Sequence, residues 1–267
     1  MGNHTRSFDT LLLDLDGVVI SDRREMPGAR QALNIFLNEG IDIVFVTNNV
    51  NFERSALTLL LQDMVSGYQV RIVDPLNVFE VFFHKKHQAL HTNCFILGSD
   101  AVVQRLSLMG YRVLDPLQGE FASVVIVSSV AALNYQQVTC ACRAVENGAS
   151  FYATGRERMY MWNDNSWPGT GAILAAIEVA TSKKAKVLGK PSREIFRLAA
   201  TGLSDKTRAL VVGDDIDIDI MGAYTAGFRS VLIDSGSKKR AIRQRSSVKP
   251  DYVVSDLLSL ASSSILK

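Results

Sequence analysis

Two carboxylates at alternate positions, in Asp14-Leu15-Asp16-Gly17, are the first residues in this sequence whose spacing suggests chemistry. On an extended segment alternate side chains point the same way, so both acids can face one site. Carboxylates held close repel unless a cation or proton lies between them. A hard divalent ion such as Mg²⁺ suits that place, because it prefers oxygen ligands and keeps several waters. Alone, the pattern is equally a strand end and an Asp-Gly turn. Thr47-Asn48-Asn49 adds a hydroxyl, amides and backbone N–H groups ahead of a helix, a cradle for an anion or a plain helix cap. Lys190, within Gly189-Lys190-Pro191-Ser192, is a positive charge that could neutralise a bound phosphate.

The fourth cluster, Gly213-Asp214-Asp215-Ile216-Asp217-Ile218-Asp219, holds four acids in six residues. A calcium loop starting at Asp215 fails, since Ile220 and Ala226 stand where Gly and Glu are needed. Acids at a helix start are stabilised by its dipole. So many at one point exceed what capping requires, and a metal site is the better reading.

Each cluster follows a short apolar run, and such runs alternate with helical patterns along the chain, the mark of an α/β fold with parallel strands. Strands are predicted at Thr10–Leu15, Ile41–Val46, Cys94–Leu97, Val124–Val127, Ser150–Ala153, Lys186–Leu188, Arg208–Val212, Arg229–Ile233 and, at an edge, Tyr252–Val254. Helices are predicted from Pro27-Gly28, through Met64, over Val78–Gln88, Asp100–Met109, Tyr135–Glu146, Ala172–Thr181 and Ile216–Ala226. A polar, aromatic loop covers 156–167. Ligands bind outside the carboxyl ends of strands in open α/β sheets, so the four clusters are expected in one cleft. The two ends of the chain, 1–72 and 171–267, make the core, and 73–170 form an inserted α/β domain.

With 267 residues, 47% apolar and 21% charged, the composition is that of a globular protein. A net charge of +2 gives no field that points to nucleic acid or a membrane. Three cysteines without a C-x-x-C pair favour a reducing compartment. The polar start and the lack of a run of about 20 apolar residues predict a soluble, cytoplasmic protein.

Together and in this order, the clusters resemble the haloacid dehalogenase superfamily of phosphohydrolases. Phe45-Val46-Thr47-Asn48-Asn49, Pro168-Gly169-Thr170-Gly171, Val187-Leu188-Gly189-Lys190-Pro191-Ser192 and Val212-Gly213-Asp214 look like its subfamily IIA, which includes p-nitrophenylphosphatase-like and NagD-like enzymes. The resemblance implies a Rossmann-like, doubly wound parallel core with a C2-type cap as the insert. It implies a Mg²⁺-dependent phosphatase acting on a small organophosphate of sugar-phosphate, phosphoglycolate or nucleotide type. Asp14 would be the nucleophile and Asp16 the general acid and base. Asp14, the Asp16 carbonyl and Asp214 would hold the metal. Thr47, Asn48, Asn49 and Lys190 would grip the phosphoryl group, Asp219 would orient the lysine, and Asp215 would touch a metal-bound water. A homodimer through the cap also follows from the resemblance. A phosphomutase with the same intermediate, or a binding protein that kept the fold, remain alternatives.

The cap departs from the pattern. Ala153-Thr154-Gly155-Arg156-Glu157 stands where relatives commonly read Ala-Thr-Asn-Pro-Asp, so substrate does not carry over. Arg156 could pair with a second anionic group, and Trp162, Asn163 and Trp167 could flank a substrate, or all could be ordinary cap surface. His84, His87 and His91 would share one helical face, either as a metal site or on a solvated helix. Lys238-Lys239-Arg240 with Arg243 and Arg245 reads as a solvated helix face before an acidic-partner site.

Overall fold

The computed structural model describes residues 7–21, 23–65, 67–87, 92–128, 132–162, 165–235 and 247–266. Two compact units divide the chain: Met1–Thr47, Arg54–Val73 and Lys190–Lys267 form the first, Asn48–Glu53 and Asp74–Gly189 the second. The second unit thus runs to Gly189 rather than to 170, because α6 (Thr170–Thr181) and β12 (Lys186–Val187) belong with it.

In the first unit, β1 (Thr10–Leu13) is followed by a small antiparallel ribbon, β2 (Ile20–Ser21) and β3 (Arg24–Glu25). Then come α1 (Ala29–Asn38), β4 (Asp42–Val46), α2 (Arg54–Met64) and β5 (Ile72–Val73). After the second unit the chain continues with α7 (Arg193–Ala199), β13 (Ala209–Gly213), α8 (Met221–Ala226), β14 (Arg229–Ile233) and β15 (Tyr252–Val254). The sheet is six-stranded and parallel, in the order β15-β14-β13-β1-β4-β5.

The order follows from burial. Leu11, Leu12 and Leu13 are each fully buried, as a strand covered on both faces requires, and β1 takes the centre with Leu13 opposite both Val212 and Phe45. From β1 the chain winds outward through β4 and β5, then returns to the other side at β13. That reversal opens a crevice at the carboxyl ends of β1 and β13. Helix α1 buries Ala29, Ala32, Leu33 and Phe36, the spacing of one helical face. The segment Ile216–Ile220 is a π-turn leading into α8, where sequence predicts one continuous helix.

The second unit has its own parallel sheet, β12-β9-β8-β6-β7, with β6 at Asn93–Leu97, β7 at Arg112–Val113, β8 at Val124–Val127 and β9 at Ser150–Ala153. The helices α3 (Pro75–Phe82) and α5 (Tyr135–Glu146) each start in a capping box, Asp74 with Asn77 and Asn134 with Gln137; α4 spans Asp100–Leu108. Phe95, Val125, Val127, Ala141, Val145, Leu174 and Ile177 form the unit's core.

Three readings of this unit change. The strand before Lys190 is β12, paired to β9, so it lies in this sheet and not beside the core strands. The expected loop at 156–167 contains a hairpin, β10 (Met159–Trp162) and β11 (Asn165–Pro168), with Tyr160 opposite Trp167. The expected helix Val78–Gln88 stops at Phe82, because Phe83 leaves helical geometry and a 3-10 turn at His84–His87 follows. That breaks the shared helical face of the histidines; His91, Asn163 and the basic run 238–245 lie outside the described residues. Among the described residues, no helix is long and apolar enough to cross a membrane.

Candidate active site

Asp14 directly continues β1: its N–H donates to the Val212 carbonyl at 2.9 Å, which fixes the residue at the mouth of the β1–β13 crevice. Its carboxylate is 7% exposed and accepts from the Lys190 ammonium, itself 3% exposed. Lys190 reaches this point from the turn before α7, and its Nζ lies 2.7 Å from Asp219 Oδ1. The other Asp219 oxygen accepts the N–H groups of Asp214 and Asp215, each at 3.1 Å. Asp219 therefore pairs with the lysine through one oxygen and holds the turn after β13 through the other. Asp215 caps the π-turn by accepting from Asp217 and Ile218 N–H at 2.8 and 3.1 Å.

The electrostatics are unbalanced. Burial, then the Asp219 carboxylate, push the Asp14 carboxyl up, with Lys190 opposing them. Burial works against the Lys190 charge, yet Asp14 and Asp219 keep it protonated. The Asp215 carboxyl is also raised, by burial and by Asp219. One ammonium faces the carboxylates of Asp14, Asp214 and Asp219, whose oxygens come within 4.8 Å of one another. A hard divalent cation held by Asp14 and Asp214 oxygens would relieve the repulsion.

Asp16, two residues on, is exposed, and its Oδ2 accepts from Thr47 Oγ1 at 3.3 Å. A buried first acid and an exposed second one suit different tasks, since only the second exchanges protons freely with solvent. Gly17 links them. Its φ is +86°, and a Cβ there would lie 2.2 Å from Asp214 Oδ2, so the turn and the acid pack against each other in a way only glycine permits. Gly17→Ala is expected to weaken cation binding at least about tenfold, the scale of lost support around a metal ligand. A Mg²⁺ titration followed by calorimetry checks this; unchanged affinity would show that Asp214 does not hold the ion.

Asn48, Asn49 and Arg156 fall in the second unit. The Asn48 side chain occupies the space beside Gly189, where a Cβ would come 2.3 Å from its Oδ1 and 2.2 Å from the Thr154 carbonyl. Asn49 Oδ1 accepts from Asn51 N–H at 3.1 Å, a local turn bond. Arg156 grips Glu178 with two N–H groups, at 3.1 and 2.5 Å. Sequence reasoning missed Glu178; its signal was a lone acid inside the apolar helix α6. The carboxylate is 5% exposed and also accepts from Lys184 at 2.8 Å and Ala185 N–H at 3.1 Å. Trp167 is half-exposed on the hairpin.

Burial would raise the Glu178 carboxyl, but the Arg156 and Lys184 hydrogen bonds and the Ala185 N–H overcome it and lower it to about 2. A folded value below the ordinary 4.5 gives stability that is complete above that pH and disappears as pH falls toward 2. The wild type is expected to lose roughly 1–2 kcal/mol more than Glu178→Gln across that window, because the exposed ends of Arg156 and Lys184 are screened by solvent. Urea unfolding of both proteins between those pH values measures the difference; parallel curves would remove Glu178 as the cause.

Carboxylates and a lysine gathered at the switch point of a parallel α/β sheet are groups that a phosphoryl-handling hydrolase would use. Residues 11–112 match the haloacid dehalogenase-like hydrolase family and residues 187–260 its HAD-hydrolase-like description. The chain belongs to the haloacid dehalogenase-like hydrolases. Phosphoglycolate phosphatase 2 of Arabidopsis thaliana is 28% identical over 96% of this chain and 94% of its own length. The p-nitrophenyl phosphatase of Archaeoglobus fulgidus superposes with a TM-score of 0.81 at 26% identity, covering 96% of this chain and 98% of its own. The glycerol phosphate phosphatase of Mycobacterium tuberculosis, solved in complex with magnesium, gives a TM-score of 0.78 at 26% identity, covering 96% and 78%. Within the family, the chain falls in the NagD-like, p-nitrophenylphosphatase-like branch, subfamily IIA.

Proposed function

We propose that this chain is a phosphatase that hydrolyses phosphate monoesters of small organic molecules, with Mg²⁺ as its metal and Asp14 as its nucleophile. The observation that carries the reading is the chain of contacts Asp14–Lys190–Asp219 beside Asp214, at the crevice between β1 and β13. Substrates of sugar-phosphate, phosphoglycolate or nucleotide type fit the reading, since the relatives are phosphatases of small esters.

The Asp14 carboxylate attacks phosphorus, a new O–P bond forms, and the bond to the alcohol oxygen breaks. Asp16 gives its proton to the leaving alkoxide. The same carboxylate then takes a proton from water, which attacks the phosphorus of the aspartyl-phosphate and frees Asp14 with release of phosphate. Lys190 neutralises charge on the phosphoryl oxygens, and Thr47 donates its hydroxyl. The Asp14 and Asp214 carboxylates with the Asp16 carbonyl would hold the metal, and Asp215 would act on its waters. When bound, the ion supplies positive charge that screens nucleophile from phosphoryl group. Arg156 serves through Glu178 as cap scaffold.

Association of two copies through the second unit is part of the proposal, supported by exposed Leu117, Phe121 and Tyr135, as is a cytoplasmic setting. The deciding experiment is phosphate release from a panel of phosphomonoesters, with Mg²⁺ and with chelator. Release that needs the metal supports the reading, and the ranking of esters names the substrate class. Absence of release from every ester by folded protein removes it.

A further inference from the structure

Thr47 and Asn48 are neighbours in sequence but belong to different units, Thr47 to the first and Asn48 to the second. In the first unit the hydroxyl of buried Thr47 donates to Asp16 Oδ2 at 3.3 Å. In the second unit the Asn48 side chain is packed against two glycines. A Cβ on Gly189 would overlap Asn48 Oδ1, and one on Gly155 would come 3.1 Å from Asn48 Nδ2. The amide fits because both backbones lack a side chain there.

Glu157 reaches the same point beside Gly155, where its Oε2 would overlap that Cβ. Its Oε1 accepts from the Thr170 hydroxyl at 2.9 Å, and its carbonyl accepts from Gly171 N–H at 2.8 Å, so the residue is anchored to the start of α6. Oε2 is buried and has no hydrogen-bond partner among the described residues. An unmatched buried acceptor is costly, and one that no solvent reaches must take its donor from the protein. The donor that converges on the same point is Asn48 Nδ2. Gly155 and Glu157 stand where the family pattern has Asn and Asp; here the longer acid fills the space that a side chain at 155 would take.

We propose that Glu157 is a positioning residue for phosphoryl transfer: its carboxylate holds the Asn48 amide, and the 47–48 peptide bond passes that restraint to the Thr47 hydroxyl and Asp16. This role rests on the phosphatase reading, in which Thr47 donates to the phosphoryl group and Asp16 protonates the leaving alkoxide. Misplacing such groups by about 1 Å costs roughly a hundredfold in rate, so a lost restraint is read in kcat.

The test is phosphate release with Mg²⁺, per folded protein, by Glu157→Ala, Asn48→Ala and the double variant. Each single substitution is expected to lower kcat at least about tenfold with KM within about threefold of wild type, and the double loses no more than the worse single. Glu157→Gln keeps kcat within about threefold, because its carbonyl oxygen still accepts from Asn48 while its amide donates to the Thr170 hydroxyl oxygen. In Thr47→Val, where the restrained hydroxyl is absent, Glu157→Ala lowers kcat no further. Asn48 is half-buried, so Asn48→Ala reads the same contact should Glu157→Ala not fold. Full kcat in either single variant, losses that multiply in the double, or an undiminished loss in Thr47→Val each overturn the proposal. If the wild type releases no phosphate, the phosphatase reading fails by itself. Urea unfolding then reads the pair: overlapping costs of the two substitutions keep the Glu157–Asn48 contact, and additive costs remove it.

Discussion

Asp14→Asn is expected to abolish metal-dependent phosphate release, by at least about a thousandfold, while the protein stays folded and in chelator becomes more stable than the wild type. The loss follows from removing the attacking oxygen, and nucleophile deletions have effects of this size or larger. The gain follows from the site's charge. Asp14 is buried, and its ionised form is opposed by burial and by the nearby Asp219 carboxylate. An amide of the same shape keeps the packing and removes the repulsion, while Lys190 retains Asp219 at 2.7 Å. Strained functional groups commonly trade stability for activity in this way. Chelated samples compared by urea unfolding are expected to show Asp14→Asn unfolding at higher denaturant. Added Mg²⁺ stabilises the wild type by linkage and narrows or reverses the gap. Appreciable turnover by Asp14→Asn would remove Asp14 as nucleophile, and a clear loss of stability would remove the electrostatic account.

Lys190→Met is expected to have the opposite signature, with activity and stability falling together. The ammonium is 3% exposed and lies between Asp14 and Asp219. Removing it leaves two buried carboxylates without their counter-charge, and breaking a buried pair this way costs about 3–5 kcal/mol. Phosphate release is expected to fall at least about a hundredfold, as charge on the transferring group loses its partner. The double variant Asp14→Asn with Lys190→Met separates the causes. If the pair is the source, the lysine substitution costs at least about 1 kcal/mol less when Asp14→Asn is already in place. Equal costs with and without Asp14→Asn would assign the loss to packing of the lysine stem alone.

The core of the fold was legible because its strands are apolar on both faces and end abruptly. Leu11–Leu13, Val44–Val46 and Leu210–Val212 are buried runs, each followed within two residues by a polar group, Asp14, Thr47 or Asp214. A continuous apolar run stopping at an acid is a strand end at a site, and no long-range knowledge is needed to see it. What sequence hid was pairing. Lys186–Val187 looks like one more core strand, but its partner is Tyr152–Ala153, and two residues carry too little pattern to choose a sheet. Hairpin 159–168 pairs Tyr160 with Trp167 and Met161 with Ser166 without alternation of apolar and polar residues, so it read as loop. Arg156 read as a partner for a substrate anion or as cap surface because its ion-pair partner, Glu178, is 22 residues away in a helix whose pattern is otherwise apolar. Gly17 was quoted as part of a turn, but its contact with Asp214 appears only once β1 and β13 lie side by side.

The place of β1 at the sheet centre also sets an order of assembly. Its neighbour on one side, β4, follows soon after it, but its other neighbour, β13, comes only after the second unit is complete. As the chain emerges from its N-terminus, β1, β4 and β5 are made first and remain half a sheet, with Leu11–Leu13 lacking their partners Leu210–Val212. The second unit closes its five strands and its own core within Asp74–Gly189, and so can finish while the first is still open. Lys190 and Asp214 emerge after that. Order of synthesis therefore favours a stage at which the second unit's sheet is complete and the first unit's is not, with the open edge of β1 the segment most exposed to wrong pairing.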